Sequence, residues 1–310
     1  MGSPNGIWTS VSGAMAQSQN LDIIANNLAN VGSTAFKKDT PTFKEYLTAI
    51  ERPPSPAIDI PRTIFKDSDF YHFDGREHAM VNVDKVHTDH SQGTLKLTNA
   101  PLDFAIDGSG YFAIQTPDGL KFSRAGSFKM SSDGNLVTTD GYPVLSLNGE
   151  ALAQRNAEIE IQASGEDPAV AAALAPDAPP KKNPFTTPNL LKPINLREAI
   201  ETGSRVTVTP MGQIFVGENQ VGTIAVAEFV DNRMLKKVGS AFFENPNPAN
   251  VPRISTKATV QQGYLEQSNV NPVAELVELL KANRLFESNM KAIRAYSEMS
   301  QKEANEVGKL

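Results

Sequence analysis

Cysteine is absent from all 310 residues, which removes disulfides and thiolate chemistry in any compartment. Basic residues are absent before Lys37, and the apolar stretch near the start is interrupted at Asp22, so no cleaved secretory signal is expected. The hydroxyl residue that a myristoylation motif wants falls on Gly6. No apolar run approaches the length of a membrane span. With a formal charge of -6 and a pI near 5.4, the chain offers no basic footprint for a phosphate backbone, and nucleic acid is not an expected partner.

Catalytic patterns are missing too. There is no Gly-x-Ser-x-Gly elbow and no phosphate-binding lysine loop. Gly108-Ser109-Gly110 lacks the third glycine and the following helix of a dinucleotide loop, and reads as a turn. Asp103 and Asp107 fall on strand and turn positions with nothing to raise the pKa of one of them. The expectation is a protein without catalytic residues, cofactor or resident metal.

What the chain does have is concentrated at its ends. In front, Ile7, Val11, Ala14, Ser18, Leu21, Ala25 and Leu28 recur at steps of three and four; behind, Leu276, Leu279, Asn283, Phe286, Met290 and Ile293 do the same. Alternating steps keep a narrow stripe on one helix face, which suits packing against another helix. The first helix is expected to begin near residues 4–7 and to fade at Val31-Gly32-Ser33. Asn271 reads as the N-cap of the last helix and Pro272 as its first residue, where the missing N–H has no partner to lose. That helix is expected to run about 35 residues, roughly 50 Å, and its length favours an assembly role. Trp8, on the first turn, is expected to pack against a neighbouring chain.

Between the ends the pattern is different. A short amphipathic stretch is expected at 43–50, an extended proline-rich connection at 51–61, and 62–92 is polar and charged without a clear period. Alternation typical of strands then runs through 94–97, 102–106, 111–115, 120–122 and 136–138, punctuated by Asp107-Gly108, Asp118-Gly119, Asp133-Gly134, Asp140-Gly141 and Asn148-Gly149. Short strands separated by such pairs mean antiparallel hairpins. Ala and Pro dominate 163–193, too little bulky surface to offset ordering entropy. Strands resume at 205–209, 213–216 and 223–229. The fold class expected is α+β: terminal helices forming a coiled-coil-like domain, with a discontinuous antiparallel β domain inserted between them. Its parts are 1–38 plus 265–310 for the helical domain and 39–93 for an extended linker and polar loop. The β domain takes 94–162 plus 204–264, and 163–203 is a Pro/Ala-rich insertion.

All four histidines, His72, His78, His87 and His90, fall within one short polar stretch that also holds Asp74, Glu77, Asp84 and Asp89. The His87-Thr88-Asp89-His90 spacing could suit a metal, but three converging ligands and an outer shell are not visible. The ordinary reading is exposed loop histidines; the rival reading is a soluble metal-binding protein built on His72–His90.

Several segments carry a resemblance. The run from Asn20 through Asn26-Asn27-Leu28-Ala29-Asn30-Val31, followed by Phe36-Lys37-Lys38, resembles the N-terminal signature of the bacterial flagellar rod and hook family. Residues 102–149, with Ala105-Ile106-Asp107-Gly108-Ser109-Gly110-Tyr111-Phe112 and Gly126-Ser127-Phe128, are similar to its β domain. Gly263-Tyr264-Leu265-Glu266-Gln267-Ser268-Asn269-Val270 and the helix after it resemble its C-terminal segment. Three matches in order, over about half of the chain, are far more specific than any one. Asn269-Val270-Asn271-Pro272-Val273 is closer to proximal-rod members; distal-rod and hook members typically have an acid where Asn271 stands, and a distal-rod or hook-like axial protein is the alternative. Where the family usually has Thr-Gly-Phe, this chain has Thr34-Ala35-Phe36.

The resemblance implies a structural subunit of the basal-body rod in the periplasm, exported through the flagellar type III apparatus without a cleaved signal peptide. It also implies partners: other rod subunits and copies of the chain itself in a helical assembly. Subunit packing falls to Ile7, Val11, Leu21, Leu28, Leu276, Leu279, Phe286, Met290 and Ile293. The family motif falls on Asn26, Asn27, Asn30, Phe36, Ser268, Asn269 and Val270. Two readings of the asparagines stay open, cross-helix amide bonds that fix register and a solvated face.

Overall fold

The Asp-Gly punctuation of the middle marks real turns: Gly119 sits at φ +121° and joins strands Tyr111–Thr116 and Gly119–Ser123, which pair antiparallel from Phe112↔Ser123 to Thr116↔Gly119. A side chain beyond Cα would strain that backbone, whereas glycine adopts it freely. The computed structural model describes residues 5–47, 79–164, 183, 185 and 190–307. These divide into two compact units, one of 1–28, 39–87 and 271–310, the other of 29–38 and 88–270.

The second unit is built on a six-stranded antiparallel sheet. Its order is Lys236–Val238, Phe242–Glu244, Gly119–Ser123, Tyr111–Thr116, Val226–Glu228, Arg253–Ile254. Successive side chains of a strand point to opposite faces, and here both faces are covered. Phe112 and Val226 enter one apolar cluster with Phe104, Phe128, Leu136 and Ile214; Tyr111 and Ala227 enter another with Phe122, Leu147, Phe229 and Phe243. Burial on both sides explains why Tyr111-Phe112-Ala113-Ile114 reads as an unbroken apolar run rather than a strict alternation.

Two segments of this unit differ from the sequence expectation. Asn148-Gly149 is not a hairpin turn but the start of helix α2, Gly149–Ser164, after α1 at Asn5–Ala29. The Asn148 carbonyl accepts from Leu152 N–H at 2.9 Å and its side chain from Gly149 N–H at 2.7 Å, so a residue suited to a turn serves as a helix start. Residues 190–203, read as the end of the Pro/Ala-rich insertion, carry strand Leu191–Pro193 and helix α3, Arg197–Thr202. Leu190, Ile194 and Leu196 are buried in the two clusters, so three spaced large residues suffice to tie the returning chain to the core. The centre of the insertion, 165–182, lies outside the described residues.

The first unit holds α1, the two-stranded sheet of Asp39–Leu47 and Ala79–Thr88, and the long helix α4, Pro272–Val307. The amphipathic stretch expected at 43–50 is a strand as far as Leu47. Pro41, Thr42, Phe43 and Tyr46 explain that outcome, since proline excludes a helix interior and β-branched and aromatic residues favour extended backbone. Asn271 caps α4 as expected, its Oδ1 accepting from Val273 N–H at 3.1 Å and Ala274 N–H at 3.3 Å. Among the described residues no helix is long and apolar enough to cross a membrane.

Candidate assembly surfaces and the ion-pair clamp

Within the first unit α1 and α4 approach each other at two points. A Cβ on Gly13 would lie 3.1 Å from Asn289 Nδ2, and Asn27 Nδ2 lies 3.4 Å from Glu275 Oε2. Moving forward along α1 from Gly13 to Asn27 moves an equal number of residues back along α4, so the helices run antiparallel. Ala14, Ala16 and Ile24 on α1 and Glu275 and Ala282 on α4 are buried.

Asn27 answers the open question about the asparagines. It is buried, donating from Nδ2 to the Asp39 carbonyl at 2.8 Å while its Oδ1 accepts from Asp39 N–H at 3.0 Å. The amide thus takes both backbone groups of Asp39 where strand Asp39–Leu47 begins, and reaches α4 as well. Asn26 is exposed. Asn30 receives the Ser33 hydroxyl at 3.0 Å and Ser33 N–H at 3.1 Å, closing the turn after α1.

The packing residues named from the sequence separate into two groups. Ile7, Val11, Leu21 and Leu28 on α1, and Leu279, Phe286, Met290 and Ile293 on α4, are half-buried. Leu276 instead faces solvent at 48% exposure, beside Val273 at 69%, Val277 at 47% and Leu280 at 57%. On α1, Trp8 is 54% and Met15 63% exposed. Single exposed apolar residues are ordinary, but here they recur at helical spacing on both terminal helices.

The second unit contains a cluster that sequence reading missed. The Lys37 ammonium is fully buried, 2.5 Å from Glu266 Oε1 and 2.6 Å from the Ser91 carbonyl. Arg124 Nη1 lies 3.3 Å from Glu266 Oε2 and donates to the Ile106 carbonyl at 3.2 Å; Nη2 donates to the Gly108 carbonyl at 2.6 Å. Gly93 N–H adds a bond to Glu266 Oε1 at 3.0 Å, and a Cβ on Gly93 would sit 2.0 Å from the Gln267 carbonyl oxygen. One carboxylate between two cations leaves excess positive charge, which the three carbonyl oxygens offset. Burial lowers the Lys37 pKa, with Glu266 pulling it back up. No spacing rule could show the pairing, because Lys37 and Glu266 are 229 residues apart.

Phe36, Ser268, Asn269 and Val270 of the family motif lie in the same unit as this clamp. Phe36 is 1% exposed, its ring beneath Lys237 Nζ at 3.6 Å, and Lys237 also donates to the Lys37 carbonyl at 2.8 Å. Asn269 Oδ1 accepts from Lys38 N–H at 2.7 Å, while Nδ2 donates to the Asp89 carbonyl at 2.9 Å and the Ser91 hydroxyl at 3.0 Å. Ser268 Oγ accepts from Val270 N–H at 3.2 Å, and Val270 is buried. Ala35, standing where glycine is usual, takes the left-handed conformation at φ +56°, is 2% exposed, and donates to the Glu266 carbonyl at 2.8 Å. Alanine at such a φ costs about 1 kcal/mol relative to glycine, while a buried methyl returns about 0.8 kcal/mol, so the turn survives the exchange. Ala35→Val adds a β-branch to a filled left-handed site; we expect a loss of roughly 2 kcal/mol or more in urea unfolding.

Of the histidines, His72 and His78 lie outside the described residues. His90 Nδ1 shares a 2.8 Å hydrogen bond with the Tyr111 hydroxyl and its ring packs on Phe243. Burial pushes the Tyr111 pKa up, so the phenol keeps its proton. Among the described residues no group of three or more His, Cys, Asp or Glu side chains could hold a metal ion.

An N-terminal helix and a C-terminal helix, both with exposed apolar residues, and antiparallel sheets between them in sequence define a protein of the α+β class. Three family descriptions match in order: flagella basal body rod protein over residues 7–37, flagellar hook protein FlgE/F/G D1 domain over 105–177, and flagellar basal body rod FlgEFG protein C-terminal over 261–307. The chain is 29% identical over 302 residues to the flagellar basal-body rod protein FlgG of Buchnera aphidicola subsp. Schizaphis graminum, covering 96% of this chain and 97% of that protein. It is 29% identical over 300 residues to FlgG of Agrobacterium fabrum, covering 93% and 94%. To the flagellar basal-body rod protein FlgF of Caulobacter vibrioides it is 27% identical over 307 residues, covering 99% of each. Together these matches support the flagellar basal-body rod protein family for this chain.

Proposed function

We infer that the chain is a structural, non-enzymatic subunit of the flagellar basal-body rod, and that it polymerises through its terminal helices with copies of itself and with other rod subunits. The observation that carries this reading is the pair of exposed apolar stripes on α1 and α4, in a chain whose ends and β core match rod-protein families in order. Coiled-coil-like packing of the α1 and α4 seams forms the contact between subunits. Export through the flagellar type III apparatus and assembly in the periplasm complete the reading. Relatives named FlgG and FlgF match at nearly equal identity. Asn271 does not separate them, because asparagine and aspartate are equivalent N-caps and the side chain is occupied with capping.

The test is the composition of isolated basal bodies. The chain is expected in the rod fraction; a chain found only in the soluble fraction overturns the reading. Leu280→Asp places a charge on an exposed site, so purified protein should unfold within about 0.5 kcal/mol of the parent. Incorporation into basal bodies, and with it swimming, should be lost.

A further inference from the structure

The two exposed stripes of the first unit share one spacing read in opposite directions. On α1, exposed Trp8 and Met15 flank half-buried Val11 at steps of three and then four; on α4, exposed Val273, Val277 and Leu280 step by four and then three. Steps of this kind hold each trio on one helix face. An antiparallel partner reverses the order of steps, so one trio laid against the other brings Trp8 to Leu280, Val11 to Val277 and Met15 to Val273. Neither trio contains an ionisable residue, and the only ionisable side chain in all of α1 is Asp22.

These trios cannot meet within one chain. The antiparallel approach of Gly13 to Asn289 and of Asn27 to Glu275 places Trp8–Met15 beside the later turns of α4, whereas Val273–Leu280 lies beside the end of α1. The offset is about four turns, roughly 21 Å along the helix pair.

We propose that the occupant of each stripe is a second copy of this chain: the Trp8 face of α1 docks antiparallel on the Val273–Leu280 face of α4 in a neighbour of the same orientation, shifted by roughly 21 Å along the helix axis. The proposal rests on the rod reading and specifies its contact. The two faces differ, so the contact is heterologous; a docked pair leaves one face of each kind free, one on each copy, and the shift prevents closure into a ring. Matching steps favour this occupant over an unrelated helix, because the complementary pattern is present on the chain itself. Docking also continues the surface already formed where the two helices approach.

The chain has no cysteine, which permits a clean test. Cells co-express two full-length variants, each with one substitution at an exposed position, and isolated basal bodies are oxidised. Met15→Cys with Val273→Cys, and Trp8→Cys with Leu280→Cys, should each give a covalent pair, since bridged residues need Cβ atoms within about 4.5 Å. The mismatched combination Met15→Cys with Leu280→Cys should lose that product. Absence of the matched product, equal yield from the mismatched pair, or bridging of Met15→Cys to itself overturns the pairing. Presence of the parent chain in the same basal bodies then shows that the rod reading stands without it. A parent chain absent from basal bodies sinks both.

Discussion

Replacing Glu266 by glutamine should destabilise the second unit by about 3–5 kcal/mol, because it removes the one carboxylate from a buried site that holds two cations. The Lys37 and Glu266 side chains are wholly buried and Arg124 nearly so. A cation left there without its counter-ion cannot reach water. For a unit of this size the expected fall in the midpoint of thermal unfolding is roughly 10 °C. The sign with pH follows from Lys37. Its folded-state pKa is lowered from the ordinary 10.5, so the unfolded chain holds that proton more tightly. Stability therefore rises as pH climbs through the folded value towards 10.5. Loss of Glu266 depresses the folded value further and widens the window, so the deficit of Glu266→Gln should shrink between neutral and alkaline pH. A deficit that stays constant up to pH 10, or stays below about 1 kcal/mol throughout, contradicts the clamp.

Phe36→Ala should cost a comparable 3–5 kcal/mol, the usual range for emptying a buried phenylalanine site. The ring is 1% exposed and covered by the Lys237 ammonium, so truncation leaves a void and an ammonium that has lost its π face. Lys237→Met separates these two effects, since it keeps much of the cover while removing the cation and its bond to the Lys37 carbonyl. Its expected loss is smaller, about 1–2 kcal/mol. Equilibrium urea unfolding of the three proteins distinguishes the cases, and equal losses for both variants would mean that ring burial contributes little.

Sequence pattern and structure agree most closely where the signal is local. Strands Leu136–Thr138 and Gln213–Val216 lie where alternation and flanking turns put them, and Asn271-Pro272 opens α4 because capping needs only neighbouring atoms. Asn148-Gly149 is ambiguous by nature, since asparagine serves both a turn and a helix start. Leu190, Ile194 and Leu196 stand next to a stretch poor in apolar residues, and only the partners in the two clusters show what the three are for. The helices α1 and α4 themselves were legible by periodicity. That Leu276 belongs to the outer stripe and not to the inner seam depends on which face α1 covers. The clamp was least legible of all: Glu266 lay within a recognised segment and Lys37 within another, but a pair across most of the chain leaves no local trace.

Segment 35–38 takes its partners from 89–91, 237 and 266–269. A polypeptide delivered front end first must therefore emit nearly nine-tenths of its length before that segment can be seated. Loop closure over such a span is slow, and through that interval the leading stretch remains pliable, available to be threaded and handled in a form that the finished fold no longer presents.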